Sequence, residues 1–181
     1  GFHIFMRAVP EIQRRRPHAH IVVVGDDGVS YGAALPAGQT YKQKALSEVG
    51  AKIDMSRLHL LGRVPYDVLL RVYQVSSAHV YLTYPFVLSW SVLEAMAAGK
   101  PVVCTELGTG TSFVNVHGET GLVVPARDSH ALASALAQLL DDAALRRRMG
   151  LAGQARVRQE FSLVKMVDRV MAVYDLILEN N

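Results

Sequence analysis

Five short apolar runs, three of them stopped by Gly or Pro and the first four separated by helical stretches, constrain this chain more than any other feature. Ile21–Val24 ends in Gly25, Leu58–Leu61 in Gly62, and Ala78–Leu82, Val102–Cys104 and Gly121–Val124 follow. Runs of this length, rich in β-branched residues and without polar alternation, fit strands buried on both faces. Between them helices are expected over Tyr41–Val49, Tyr66–Val75 (after Pro65, a good helix-start residue) and Ser89–Ala98. The chain opens on Phe2–Arg16, where Phe2, Phe5, Val9 and Ile12 keep helical spacing and Pro10 should kink the helix or lie near its start. After the last strand only helices are expected, over Asp128–Leu140, Asp142–Glu160 and Leu163–Glu179. Strands joined through helices pair in parallel by right-handed crossovers, so the fold class is α/β, a doubly wound, mainly parallel sheet with a helical C-terminal tail.

Such sheets bind ligands beyond the carboxyl ends of their strands. The loops richest in chemistry leave from those ends, after Val24, Leu61, Leu82 and Cys104, which points to one site at one rim of one sheet. Between Tyr84 and Val103 the sequence reads as a strand end, a short loop, a helix opening on Ser89 and closing at Gly99, and another strand. A loop feeding a helix N-terminus gathers unpaired N–H groups and the positive end of the helix dipole, a place for phosphate. Glu94 lies about a turn inside that helix, within reach of what the phosphate is attached to. By itself it could equally offset the dipole, worth about 0.3–1 kcal/mol. Ser89 suits an N-cap, which is compatible with phosphate binding, and Trp90 reads as a packing residue at the helix start.

The remaining candidates are weaker. Gly108, Thr109, Gly110 and Thr111 could cradle a phosphate or sugar or simply form a turn. Asp26 and Asp27 could touch a ribose, but no Gly-x-Gly-x-x-Gly precedes them. The seven histidines have no ligand spacing, so no metal is expected. His79 reads as a satisfied core histidine and His117 as the one histidine in the rim loop. Cys104, the single cysteine, excludes an internal disulfide and reads as a buried small hydrophobe. With half of its 181 residues apolar and 19% charged, the chain has the composition of a globular protein, expected to form one domain. The arginine clusters Arg14–Arg16 and Arg146–Arg148 read as solvated helix faces, and no nucleic-acid partner is expected. No apolar run approaches the ~20 residues of a membrane span and no signal-peptide pattern is present, so the expected location is cytoplasmic.

These motifs together resemble the retaining glycosyltransferases of the GT-B class known as group 1 or family 4. In that signature an acidic residue, seven others and a glutamate precede Ala-Met-Ala-x-Gly-x-Pro-Val-Val, as Glu94–Val103 does here. Ile21–Gly25 matches the family's Val-Val-Gly strand, Leu60–Val64 its Leu-Gly-Arg-Val turn, and Gly118–Pro125 its Gly-x-x-Gly-Leu-Val-x-Pro segment. Phe161 and Tyr174 match its helical tail. The resemblance implies the C-terminal, nucleotide-sugar-binding, Rossmann-like half of a two-domain enzyme, with a nucleoside-diphosphate sugar as donor substrate and no cofactor. It implies that Glu94 hydrogen-bonds the ribose hydroxyls and that the amides of Ser89, Trp90 and Ser91 hold the diphosphate. It further implies that Gly62-Arg63-Val64 meets the base through main-chain groups and that Gly25 allows close backbone approach.

The departures carry expectations of their own. Phe86 stands where the signature has its first acid, and Val87 and Ser89 replace the usual glycines. The family's Arg…Lys pair and its N-terminal acceptor domain lie outside this chain, which is therefore expected to be inactive alone. Thr105–His117 resembles a different subset of the family from the Pro-Phe-Val-Leu-Ser-Trp subset of the first half, as a chain recombined within Glu94–Val103 would. The competing expectation is a non-catalytic α/β binding module or a folding-test chain.

Overall fold

In the computed structural model, residues 1–28, 33–82, 87–106 and 110–179 are described. The chain opens on helix α1 (Phe2–Arg15), which runs through Pro10. Strand β1 (Ile21–Val24), helix α2 (Tyr41–Val49), strand β2 (Leu58–Gly62), helix α3 (Tyr66–Val75) and strand β3 (His79–Tyr81) follow. Helix α4 (Trp90–Ala97), strand β4 (Val102–Thr105), helix α5 (Gly110–Val114) and strand β5 (Gly121–Val124) complete the alternating part. Helices α6 (Ser129–Asp141), α7 (Ala143–Glu160) and α8 (Leu163–Glu179) close the chain. Local chemistry sets several of these boundaries. Thr40 and Gln43 form a reciprocal capping box on α2, and the side chains of Asp128 and Asp142 accept from backbone amides at the starts of α6 and α7.

All pairing is parallel, and β4 is its most buried strand, with Val102, Val103 and Cys104 fully excluded from solvent. Its side chains alternate between two cores, as a strand's period of two requires. Val103 joins Met6, Val9, Ile12, Leu132, Leu136 and Leu139 from α1 and α6. Val102 and Cys104 join Val92, Met96 and Val157 from α4 and α7 on the other face. Helices on both faces of a parallel sheet are the doubly wound arrangement expected from the alternation.

Where a single sheet is expected from the sequence, the described residues pair as two ladders, β1 with β2 and β3–β4–β5. Among the described residues no ladder joins them. Side-chain packing does, because Ile21 and Leu58 of the first sheet and Val103, Leu122 and Val124 of the second share one core with α1. Gln13 fastens the other end of that helix. Its buried amide donates to Asp54 O (2.9 Å) and accepts from Asp54 N (2.8 Å), satisfying both of its ends. α8 contributes no buried residue, and its apolar side chains, Leu163 to Leu178, lie exposed.

Candidate functional site

The rim of the first sheet is built by two glycines. Gly25 and Gly62 carry φ values of 146° and 67°, conformations that side-chain-bearing residues rarely adopt. The Gly25 amide donates to Gly62 O at 2.9 Å. The turns after β1 and β2 are thus tied together, leaving open backbone at the edge, since a Cβ at either glycine would meet nothing within 4 Å. Arg63 turns its guanidinium to Asp26 (Nε to Oδ2, 3.0 Å), an exposed pair worth no more than about 1 kcal/mol. Val64 is half-buried beneath the turn.

The second sheet supplies the other half. Ser89 caps α4, its Oγ accepting from the Ser91 amide at 3.2 Å and lying 2.9 Å from Ser91 Oγ. One of the three amides named from sequence is thereby engaged by a side chain, while the first-turn position of Trp90 has no intrahelical acceptor. Trp90 does not pack into the core as expected. At 78% exposed it projects from the helix start, because Val92, Ala95 and Met96 present the face that β4 buries. Across from this turn stands the start of α5. A Cβ on Gly110 would come within 3.1 Å of Leu88 N, so the two helix starts are in contact.

Glu94 is half-buried one turn inside α4, and it faces α3. The Tyr66 hydroxyl donates to its Oε1 at 3.0 Å, and this hydrogen bond followed by the carboxylate's charge raises the Tyr66 phenol above its ordinary range. Tyr73, two helical turns along α3, is pushed up to about 12 by burial and, secondarily, by Glu94. Gly25, Arg63 and Val64 thus lie at the rim of the first sheet and Ser89, Trp90 and Ser91 at the start of α4, and the Tyr66–Glu94 hydrogen bond links α3, which follows the first group, to α4. The sequence reading missed the tyrosines. Their spacing of seven, which places both on one helix face, was the available signal.

Several expectations are corrected. His79 is not a satisfied core histidine: its Nε2 is buried without a partner, and burial lowers its pKa to about 4. His117 accepts at its Nδ1 from the Val123 amide at 2.9 Å, alongside β5. Cys104 is buried as expected, and burial pushes its thiol up, away from thiolate chemistry. Phe86, Gly108 and Thr109 lie outside the described residues. Thr111, which does not, is buried with an unpartnered Oγ1. Among the described residues no group of three His, Cys, Asp or Glu side chains could hold a metal, and no helix is long and apolar enough to cross a membrane.

A doubly wound parallel fold, with glycine turns at the rim of one sheet and a capped helix carrying a carboxylate beside the other, is Rossmann-like. The sequence pattern of the family described as "Glycosyl transferases group 1" matches residues 1–142, and the chain belongs to that family. It is 34% identical over 145 residues to the D-rhamnosyltransferase WbpZ of Pseudomonas aeruginosa, covering 79% of this chain but 38% of that protein. Its fold is that of the C-terminal domain of the group 1 glycosyltransferase LpcC from Francisella tularensis, with a TM-score of 0.77 at 22% identity, covering 90% of this chain and 80% of that one. It also superposes on Anabaena Alr3699/HepE, solved with UDP, with a TM-score of 0.79 at 22% identity over 97% of this chain and 45% of that one. The chain thus corresponds to a C-terminal GT-B domain and spans about two-fifths of the length of the curated relatives it matches.

Proposed function

We propose that this chain is the donor-binding half of a retaining hexosyl glycosyltransferase and holds a nucleoside-diphosphate sugar at the rim described above. One observation carries the reading: the Glu94 carboxylate, on the helix that Ser89 caps, accepts from Tyr66, which opens the helix directly after the Gly62-Arg63-Val64 turn and Pro65. A ribose lies between base and diphosphate in such a donor, and a carboxylate's two oxygens suit a vicinal diol. The base meets main-chain groups of the Gly62-Arg63-Val64 turn, where Gly25 leaves the backbone open, and the diphosphate lies against the Ser89–Ser91 amides. UDP bound to a fold neighbour is consistent with that ligand class.

In retaining transfer the bond between the anomeric carbon and the phosphate oxygen breaks with its electron pair going to the diphosphate. The acceptor hydroxyl attacks from that same face and passes its proton to the departing diphosphate oxygen, so no protein nucleophile is required. The contribution of this chain is to offset charge on the leaving diphosphate with fixed dipoles. The acceptor site belongs to a separate domain, so this chain by itself binds donor without transferring sugar.

Calorimetric titration with UDP and GDP tests the reading. One of the two should bind, at millimolar affinity or tighter, and Glu94→Ala should reduce that binding at least tenfold. Absence of binding by the intact chain, or indifference to Glu94→Ala, would favour a non-catalytic module instead.

A further inference from the structure

We propose that Tyr66 is a positioning residue for the donor: its hydroxyl holds Glu94 Oε1 and so fixes the ribose-binding carboxylate toward the base turn. The inference rests on the donor-binding reading above and adds to it a residue that the sequence motifs do not contain.

The geometry has three parts. Tyr66 opens α3, directly after Pro65 and the Gly62-Arg63-Val64 turn, so its backbone moves with the part of the rim assigned to the base. Its side chain crosses to α4 and donates to Glu94 Oε1 at 3.0 Å, linking elements that lead out of two sheets without a shared backbone ladder. Tyr73, on the same face of α3 and nearly fully buried, supports the contact, since it packs with Val92 and Met96 of α4. The α3–α4 interface is thus a packed base with an exposed hydroxyl–carboxylate bond at one end, and Tyr73 lies near enough for Glu94 to raise its phenol as well.

A carboxylate accepts up to four hydrogen bonds, so Tyr66 and two ribose hydroxyls can share Glu94 without competing. What Tyr66 removes is rotational freedom. An unheld glutamate side chain samples several rotamers, and ordering it on binding costs affinity. With Oε1 held, Oε2 and the remaining lone pairs of Oε1 point in a fixed direction before the ligand arrives. Because Tyr66 is 60% exposed, its phenol contributes little to the fold itself, so its removal can be read in binding without a collapse of the domain.

The test is a titration of Tyr66→Phe and wild type with UDP and GDP. Whichever nucleotide wild type binds more tightly is then compared with its 2′-deoxy counterpart. The phenylalanine variant should bind the ribonucleotide about two- to tenfold more weakly, the net worth of one ordinary hydrogen bond, since this one is exposed. It should discriminate less between the ribo and deoxy forms, with an unchanged melting temperature. A ribonucleotide affinity that is unchanged or tighter in Tyr66→Phe overturns the proposal, as does an equal loss for both forms, which would mark a structural effect. If Glu94→Ala weakens binding while Tyr66→Phe does not, only the role of Tyr66 falls. If wild type binds neither nucleotide, the donor-binding reading falls and this role with it.

Discussion

Asn115 offers the sharpest test of how the second wall of the site is held. It is fully buried after α5, where its Nδ2 donates to Val102 O at 3.1 Å and approaches Cys104 Sγ at 3.2 Å and Leu122 O at 3.4 Å. Its Oδ1 accepts from Thr120 Oγ1 at 3.0 Å. One amide therefore pins the segment after α5 to both β4 and β5. Asn115→Ala removes two well-formed bonds, to Val102 O and from Thr120 Oγ1, each worth about 1 kcal/mol net, and leaves a polar void behind them. Thr120 keeps a weaker contact to Val116 O, which limits the penalty on its side. The sum is about 2–4 kcal/mol, or roughly 5–15 °C in melting temperature for a domain of this size. Thermal unfolding followed by circular dichroism measures it. Asn115→Asp should be worse and pH-dependent, because a carboxylate there faces the carbonyls of Val102 and Leu122 with nothing to donate. Its folded pKa would be raised by burial and by those acceptors, so the protonated form fits best. Relative to wild type, the Asp variant is closest to normal below the ordinary carboxylate pKa of about 4 and loses stability as pH rises through its folded value. An Ala variant melting within a degree of wild type, or an Asp variant as stable as wild type at pH 8, would refute this account of the segment.

Two further outcomes follow from the same packing. His79 is held neutral by burial, with its pKa lowered to about 4 from an ordinary 6.5, so the unfolded chain binds the proton more readily. Its contribution is fully present above pH 6.5 and is lost as pH falls toward 4. Melting temperatures across that window should show a shallower decline in His79→Phe, which can keep the edge-on contact with Tyr73, and an identical slope in the two proteins would rule this out. Gly110→Ala places a Cβ 3.1 Å from Leu88 N and 3.2 Å from Leu88 Cβ, so the turn entering α4 must shift. Leu88 has to give by only a few tenths of an ångström, so the melting temperature should fall by no more than a few degrees while nucleotide affinity falls about two- to fivefold. Unaltered affinity would show that the α5 start does not shape the phosphate end of the site.

What the sequence made legible and what it hid follow from the range of the interactions involved. The strands could be placed because a buried parallel strand must be apolar throughout, as Val102–Cys104 is. The cap at Ser89 and the turn at Gly62 were visible because each is decided within a few residues. α5 was not expected. Gly110-Thr111-Ser112 are poor helix formers, and the helix is held from far along the chain by Arg156, which donates to Val114 O and Phe113 O at 3.0 Å each. The outward turn of Trp90 was equally hidden, since the burial of Val92, Ala95 and Met96 against the strands decides which side of α4 faces solvent. The Tyr66–Glu94 bond spans 28 residues of sequence. A periodicity confined to α3 could suggest that its tyrosines share a face but could not say what that face meets.

The turn assigned to the base leaves β2 of the first sheet, and the acid and capped helix start lie beside the second. Among the described residues, the relative placement of the two rests on side chains: the shared core under α1, the packing of Tyr73 against α4, and the Tyr66–Glu94 bond. Apolar packing is non-directional and tolerates small sliding of one element on another, whereas a hydroxyl–carboxylate bond does not. A nucleotide reaching from the base turn to the α4 start draws on both sheets, and its binding energy adds to whatever holds them in register. On the donor-binding reading, affinity therefore depends on how α3 and α4 are held together as well as on each single contact.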